Sequence, residues 1–131
     1  MTPVVVDASV AVKWFRDEPG AAEARALLAA HGRGEVTIVV PSLFVYEFMS
    51  VATPFLAEAD LRELWTRFLD WRIHVREIGD GLMRDALAVR DRLGCSLYDA
   101  VAPALAERLE ARFYSADERA HGAWPGAEFV G

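Results

Sequence analysis

Cysteine and lysine are almost absent from this chain, which holds one of each, Cys95 and Lys13, in 131 residues. A lone cysteine excludes both a disulfide framework and a cysteine-ligated zinc site. Long apolar runs are missing as well, and nothing approaches the roughly 20 residues that a membrane-spanning helix needs. The opening Met1-Thr2-Pro3 runs straight into Val4-Val5-Val6 without the basic flank and cleavage site of a secretory leader. No linker, repeat or low-complexity stretch interrupts the chain. These absences predict one domain over residues 1–131, soluble and cytoplasmic. The three histidines, His31, His74 and His121, have no metal-ligand spacing and are expected at helix ends or on the surface.

Positive charge is also in short supply: 14 Lys and Arg against 20 Asp and Glu leave a net charge of −6. Non-specific affinity for a phosphate backbone comes from Lys and Arg displacing counterions, so this chain gains little of it. A nucleic acid would have to be held locally, by metal ions and a few arginines, and the same charge suits a basic protein partner. Arg62, Arg67, Arg72 and Arg76 are interleaved with Glu58, Asp60, Glu63 and Asp70. They read either as part of a nucleic-acid rim or as a solvated helix face. Lys13 reads as a solvated side chain beside Asp17 or Glu18, with phosphate contact as the alternative.

Apolar residues are plentiful at 53 %, enough for a proper core. Val4–Val6 and Thr37–Val40 are bounded apolar runs that predict short buried strands. Between them Ala24, Leu27, Leu28 and His31 recur at helical spacing, with Gly32 as a stop. Pro41-Ser42 opens a helix through about Ala52, ended near Pro54. Leu61, Leu64, Trp65, Phe68 and Leu69 mark an amphipathic helix, and Ile73-His74-Val75 a strand. Leu82, Ala86, Val89 and Leu93 form another helical stripe closed by Gly94. Ser96-Leu97-Tyr98-Asp99 starts a further helix as a capping-box-like turn, with Leu97, Val101, Leu105 and Leu109 on one face. Phe113-Tyr114-Ser115 predicts a fourth strand and Glu128–Val130 a fifth. Trp14, Phe15, Trp65 and Phe68 read as core or dimer-interface aromatics. Alternating strands and helices predict an α/β fold with a parallel sheet covered on both faces. In such sheets ligands bind beyond the carboxyl ends of the strands, where strand order reverses.

Three acidic residues are conspicuous by isolation. Asp7 is the only charge in the first twelve residues, Glu47 the only one between Glu35 and Glu58, and Asp99 the only one between Arg92 and Glu107. Carboxylates are seldom buried without a cation or hydrogen bonds, and no basic residue lies near any of these in sequence. Glu47 and Asp99 are expected in the first turns of their helices. A fourth acid, Asp117, follows the Phe113–Ser115 strand as Asp7 follows the first. Three of the four have a structural alternative: Asp7 as a helix cap, Asp99 as part of a capping box, Asp117 as a solvated turn residue. Glu47, set among aromatics, has no such role. Four carboxylates meeting at one sheet edge would repel without a cation, and hard oxygen ligands suit Mg²⁺ or Mn²⁺. Such an ion, or a pair about 3.5–4 Å apart, activates water and stabilises phosphodiester oxygens during in-line attack.

The segment Val4-Val5-Val6-Asp7-Ala8-Ser9-Val10 with Lys13-Trp14-Phe15 resembles the opening of a VapC-type PIN domain. So do Pro41-Ser42-Leu43 leading to Glu47, then Leu97-Tyr98-Asp99-Ala100, then Tyr114-Ser115-Ala116-Asp117. The motifs keep the family order across essentially the whole chain. The resemblance implies a three-layer α/β/α sandwich with a central parallel sheet and an acidic Mg²⁺ or Mn²⁺ site that cuts single-stranded or looped RNA. It places Asp7, Glu47, Asp99 and Asp117 at the catalytic and metal-binding acids, with Ser9 and Ser115 as their supporting partners. It also implies a toxin that forms a homodimer and is silenced by a cognate antitoxin covering the site. Ser50 stands where many relatives carry Asn, and Ser115 where Thr is common. Pro103, four residues after Asp99, removes the helix bond to the Asp99 carbonyl and is expected to kink the helix, shifting Asp99 and lowering activity.

Competing classes fit less well. A phospho-accepting receiver needs a lysine after a late strand, and a haloacid-dehalogenase-type phosphatase needs a second Asp two residues after Asp7, where Ser9 stands. A catalytically weak PIN-fold binding or regulatory module is the alternative that the four retained acids argue against.

Overall fold

The computed structural model describes residues 2–131. Five parallel strands, β1 (Thr2–Val6), β2 (Val36–Pro41), β3 (His74–Arg76), β4 (Arg112–Ser115) and β5 (Ala127–Phe129), form one sheet in the order β3-β2-β1-β4-β5. The apolar runs are buried on both faces because successive side chains of a strand point oppositely. Val4, Val6, Ile38 and Val40 enter one core, while Val5, Val39 and Phe113 enter the other. Val5 pairs in register with Val39 and Phe113, so the alternation is shared across neighbouring strands.

Helices α1 (Ala8–Ala11), α2 (Ala21–Gly32), α3 (Ser42–Ala52) and α4 (Glu58–Trp71) supply the first core. There Trp14, Phe44, Phe48 and Phe68 pack with Trp71 in a cluster of ring contacts, including Trp14–Trp71 at 5.5 Å and Phe48–Phe68 at 5.5 Å. Trp14 Nε1 donates to the Ala24 carbonyl at 3.0 Å, which satisfies its one polar atom. Of the four aromatics expected in a core or interface, Trp14 and Phe68 are buried, Phe15 is half-buried, and Trp65 is exposed. Helices α5 (Asp80–Leu93) and α6 (Leu97–Leu109) form the second layer, through Leu82, Ala86, Val89, Val101 and Leu105. Gly94 closes α5 at φ 69, a left-handed cap that favours glycine, and Ser96 caps the start of α6. The result is a three-layer α/β/α sandwich: the alternation of elements predicts its parallel sheet covered on both faces, and the resemblance its layered form.

Local differences have physical causes. Gly32, expected as a stop, is the last residue of α2, with Arg33 as its cap. A short helix, α7 (Glu118–His121), has no apolar stripe in the sequence because Asp117 caps it and it is only one turn long. Lys13 is buried rather than solvated: its Nζ donates to Glu18 Oε1 at 3.0 Å and to the Pro19 carbonyl at 2.7 Å. The sequence pairing with Glu18 is right, but a 3₁₀ turn over Val12–Trp14 folds the side chain inward. Among the described residues no helix is long and apolar enough to cross a membrane.

Candidate active site

The chain builds β1, β2 and β3 outward in one direction, then returns to add β4 and β5 on the other side of β1. The strand order therefore reverses between β1 and β4, which opens a crevice beyond their carboxyl ends. Asp7 lies there, immediately after β1, with its N–H donating to the Tyr114 carbonyl of β4 at 2.9 Å. Helix α3 leaves the end of β2 and carries Glu47 one turn deeper than the first-turn position expected from the sequence. Helix α6 packs across β1 and β2 and presents Asp99 in its first turn. Asp117 stands two residues beyond β4. All four acids are half-buried.

Their surroundings differ. Asp7 Oδ2 accepts the Ser9 N–H at 3.0 Å and the Ser9 hydroxyl at 2.6 Å, so Asp7 is the cap of α1 as well as a crevice carboxylate. The Ser9 Oγ in turn accepts the Ala116 N–H at 2.9 Å, which ties the ends of β1 and β4 together. Asp117 Oδ1 caps α7 by accepting the Ala120 N–H at 3.1 Å. Asp99 completes half of a capping box: its N–H donates to Ser96 Oγ at 3.1 Å, while its carboxylate makes no bond in return. Among the described residues the Glu47 carboxylate has no hydrogen-bond partner, and no basic side chain pairs with any of the four acids.

Two of the acids act on a third. Burial, followed by the charges of Asp7 and Asp99, pushes the Glu47 carboxyl up from 4.5 to about 7. Asp7 and Glu47 line one small pocket with Val6, Pro41, Phe44 and Tyr98; its volume, about 10 Å³, is on the scale of a single water or small ion. Tyr98, one of these lining residues, is half-exposed. Asp117 caps α7 and is not among the residues that line this pocket.

The donor chemistry fits a hard divalent cation. Carboxylate oxygens without basic partners, one of them lifted by burial and then by its neighbours' charge, are what Mg²⁺ or Mn²⁺ neutralises. Among the described residues no three His, Cys, Asp or Glu side chains form a ready coordination sphere. Mg²⁺ is commonly held by one or two carboxylates and several waters, so it needs no such cage. Asp7 and Glu47 line the same pocket, and Asp99 is near enough for its charge to act on Glu47.

Of the two readings of the arginines, the solvated helix face describes Arg62, whose side chain is exposed on α4. Arg62 is paired with Glu58 on α4, Arg72 ends α4 near the start of β3, and Arg76 lies at the far end of β3. Ser50 is exposed on α3, against Tyr46, Met49, Thr53 and Leu61. A larger cleft, about 490 Å³ between Leu28, His31, Trp71 and His74, lies at the amino ends of β2 and β3, away from the acids. Its His31 is tied down by the Ile38 N–H at 3.0 Å and the Trp71 carbonyl at 2.8 Å.

Sequence reasoning missed the part of His121. It lies at a helix end as expected, yet it is fully buried. Its Nδ1 is 2.7 Å from Ser115 Oγ and its Nε2 is 2.9 Å from the Asp99 carbonyl oxygen. Pro103 was the available signal, since the carbonyl it deprives of a helix bond needs another donor. Helix α6 runs on unbroken through Pro103, and His121 fills that place.

No curated protein matches the chain in sequence. Among solved structures it resembles a chain of VapBC2 from Rickettsia felis, described as bound to a promoter DNA fragment, at 14 % identity and a TM-score of 0.75 over 99 % of this chain and 100 % of that one. A toxin–antitoxin complex from Klebsiella pneumoniae gives 16 % identity and a TM-score of 0.73 over 95 % of each chain. PAE2754 from Pyrobaculum aerophilum gives 18 % and 0.69, over 98 % of this chain and 90 % of that one. At such identities the likeness is one of fold. The PIN domain family model, however, matches residues 4–123, a span that holds all four acids and the strands that position them, and the chain belongs to the PIN domain family.

Proposed function

We propose that this protein is a VapC-type toxin of a toxin–antitoxin pair, a single PIN domain that hydrolyses RNA phosphodiester bonds with Mg²⁺ or Mn²⁺. The observation that carries the reading is that Asp7 and Glu47 line one crevice, with Asp99 near enough for its charge to act on Glu47, while no described basic side chain pairs with any of them. Family membership supports a nuclease, and the similar chains described as toxin–antitoxin assemblies support a toxin with an antitoxin partner. The homodimer rests on the family resemblance alone.

In this reading Asp7, Glu47 and Asp99 hold the ion, with Asp117 completing the acidic set from the end of β4. When bound, the ion supplies the positive charge that polarises phosphate oxygens and lowers the pKa of a coordinated water. Ser9 fixes Asp7 through two bonds and so orients the carboxylate that faces the crevice. The Glu47 carboxyl, raised by burial and by the charges of Asp7 and Asp99, gives up its proton as the cation binds. The exposed Tyr98 ring offers a stacking surface for an unpaired base at the pocket it lines. With a net charge of −6 the chain depends on these local contacts for substrate and favours a basic antitoxin segment.

The test incubates the purified chain and Asp7→Asn with a pool of structured RNAs, with Mg²⁺, with Mn²⁺ and with EDTA. Cleavage that requires the ion and vanishes in the variant is expected. A folded chain that binds Mn²⁺ and cleaves nothing would favour the binding-module reading, and cleavage that survives both EDTA and Asp7→Asn would overturn the mechanism.

A further inference from the structure

A buried chain of hydrogen bonds runs from Asp99 to Asp117 through His121. The Asp99 carbonyl only accepts, so His121 Nε2 carries the hydrogen and donates to it at 2.9 Å. His121 Nδ1 is then without a hydrogen and accepts the Ser115 hydroxyl at 2.7 Å. The Ser115 oxygen accepts the Asp117 N–H at 3.0 Å. Ser115 and His121 are fully buried, and the Phe113 ring meets the imidazole edge-on at 4.9 Å. Every donor and acceptor along this path has one partner, which fixes a single tautomer.

The placement of Pro103 gives the arrangement its meaning. In an uninterrupted helix the N–H of residue 103 would serve the Asp99 carbonyl, and proline has none. An orphaned carbonyl beneath a functional side chain would draw in water or tilt the first turn of α6. His121, 22 residues away in the chain, takes that place. An ordinary core histidine would bond any convenient group. This one bonds the backbone of one site acid and, through Ser115, the backbone of another.

We infer that His121 is a positioning residue of the acidic site: it replaces the helix bond that Pro103 deletes and holds the Asp99 and Asp117 backbones in fixed relation. The inference rests on the proposed function only in taking these acids as the working site. Substitution of His121 therefore disturbs ion binding without removing any ligand, and it does so because Pro103 is present. Pro103→Ala restores the missing N–H and makes the imidazole donor dispensable.

The experiment is a double-mutant cycle on the full chain with His121→Phe and Pro103→Ala, read by calorimetric titration with Mn²⁺ and by urea unfolding. A ¹⁵N spectrum of the imidazole in the parent chain accompanies it. His121→Phe keeps the aromatic packing and loses both nitrogens. It is expected to weaken Mn²⁺ binding about tenfold with Pro103 present, and far less in the Pro103→Ala chain. His121→Gln, whose amide nitrogen reaches the Nε2 position, should retain most of the affinity. The parent spectrum should show hydrogen on Nε2 alone. Equal losses in both backgrounds, or Gln behaving as Phe does, would reduce His121 to core filling and overturn the inference, as would hydrogen on Nδ1. If the parent chain binds no Mn²⁺, the proposed function fails. The unfolding cycle and the tautomer then decide this link by themselves: coupling with hydrogen on Nε2 sustains it, and independent effects overturn it.

Discussion

Ser9 Oγ lies 2.6 Å from Asp7 Oδ2 and accepts the Ala116 N–H at 2.9 Å, so one hydroxyl orients the first crevice acid and joins the ends of β1 and β4. Its hydrogen goes to the carboxylate and its lone pair to the amide, which leaves little freedom for either. Ser9→Ala should therefore weaken Mn²⁺ binding by about tenfold or more and lower stability by about 1 kcal/mol. Ser9→Thr, which keeps the hydroxyl, should recover most of both. Calorimetric titration and urea unfolding measure the two effects, and an alanine variant with unaltered ion affinity would separate Ser9 from the site.

The lifted carboxyl of Glu47 gives a pH dependence with a definite sign. In the folded chain it holds its proton up to about 7, whereas the ordinary value is 4.5. Between those values the folded state binds more protons than the unfolded one, so ion-free stability falls as pH rises through the window. Mn²⁺ affinity moves oppositely and rises as the proton leaves. Glu47→Gln should flatten both profiles and raise ion-free stability at pH above 7, while abolishing tight ion binding. Unfolding curves and titrations at several pH values check this, and a stability profile with unchanged slope in the variant would refute it.

Lys13 and Glu18 form a half-buried pair at 3.0 Å, with the Pro19 carbonyl as the other acceptor for the ammonium. Glu18→Gln leaves the buried positive charge without its counter-charge and should cost about 1–3 kcal/mol. Ion affinity should be unchanged, because the pair lies outside the crevice. Thermal or urea unfolding compared with Mn²⁺ titration distinguishes this from an effect on the site.

Tyr98 is half-exposed and lines the pocket shared by Asp7 and Glu47. Tyr98→Ala should raise KM for a single-stranded RNA substrate, by an amount corresponding to about 1–3 kcal/mol of lost stacking, with Mn²⁺ affinity retained. Tyr98→Phe should resemble the parent. Steady-state kinetics on one cleaved RNA provides the measurement, and an unchanged KM in the alanine variant would remove the ring from substrate binding.

The sequence by itself determined the strands and most of the helices, because apolar periodicity and caps are local. Val4–Val6 could satisfy its burial only as a strand covered on both faces, and Gly94 and Ser96 mark where α5 ends and α6 begins. It also exposed Asp7, Glu47 and Asp99, since a charge among apolar neighbours has no cheap resting place. The tertiary structure decided the rest. That β4 enters beside β1 rather than β3, and so opens the crevice at Asp7, depends on pairing between segments more than a hundred residues apart. Only folding brings His121 to the Asp99 carbonyl and turns Lys13 inward to Glu18. Local pattern fixes which groups must be buried or satisfied; which partner satisfies them is set by the path of the chain through space, as where His121 meets the Asp99 carbonyl that Pro103 leaves without a helix bond.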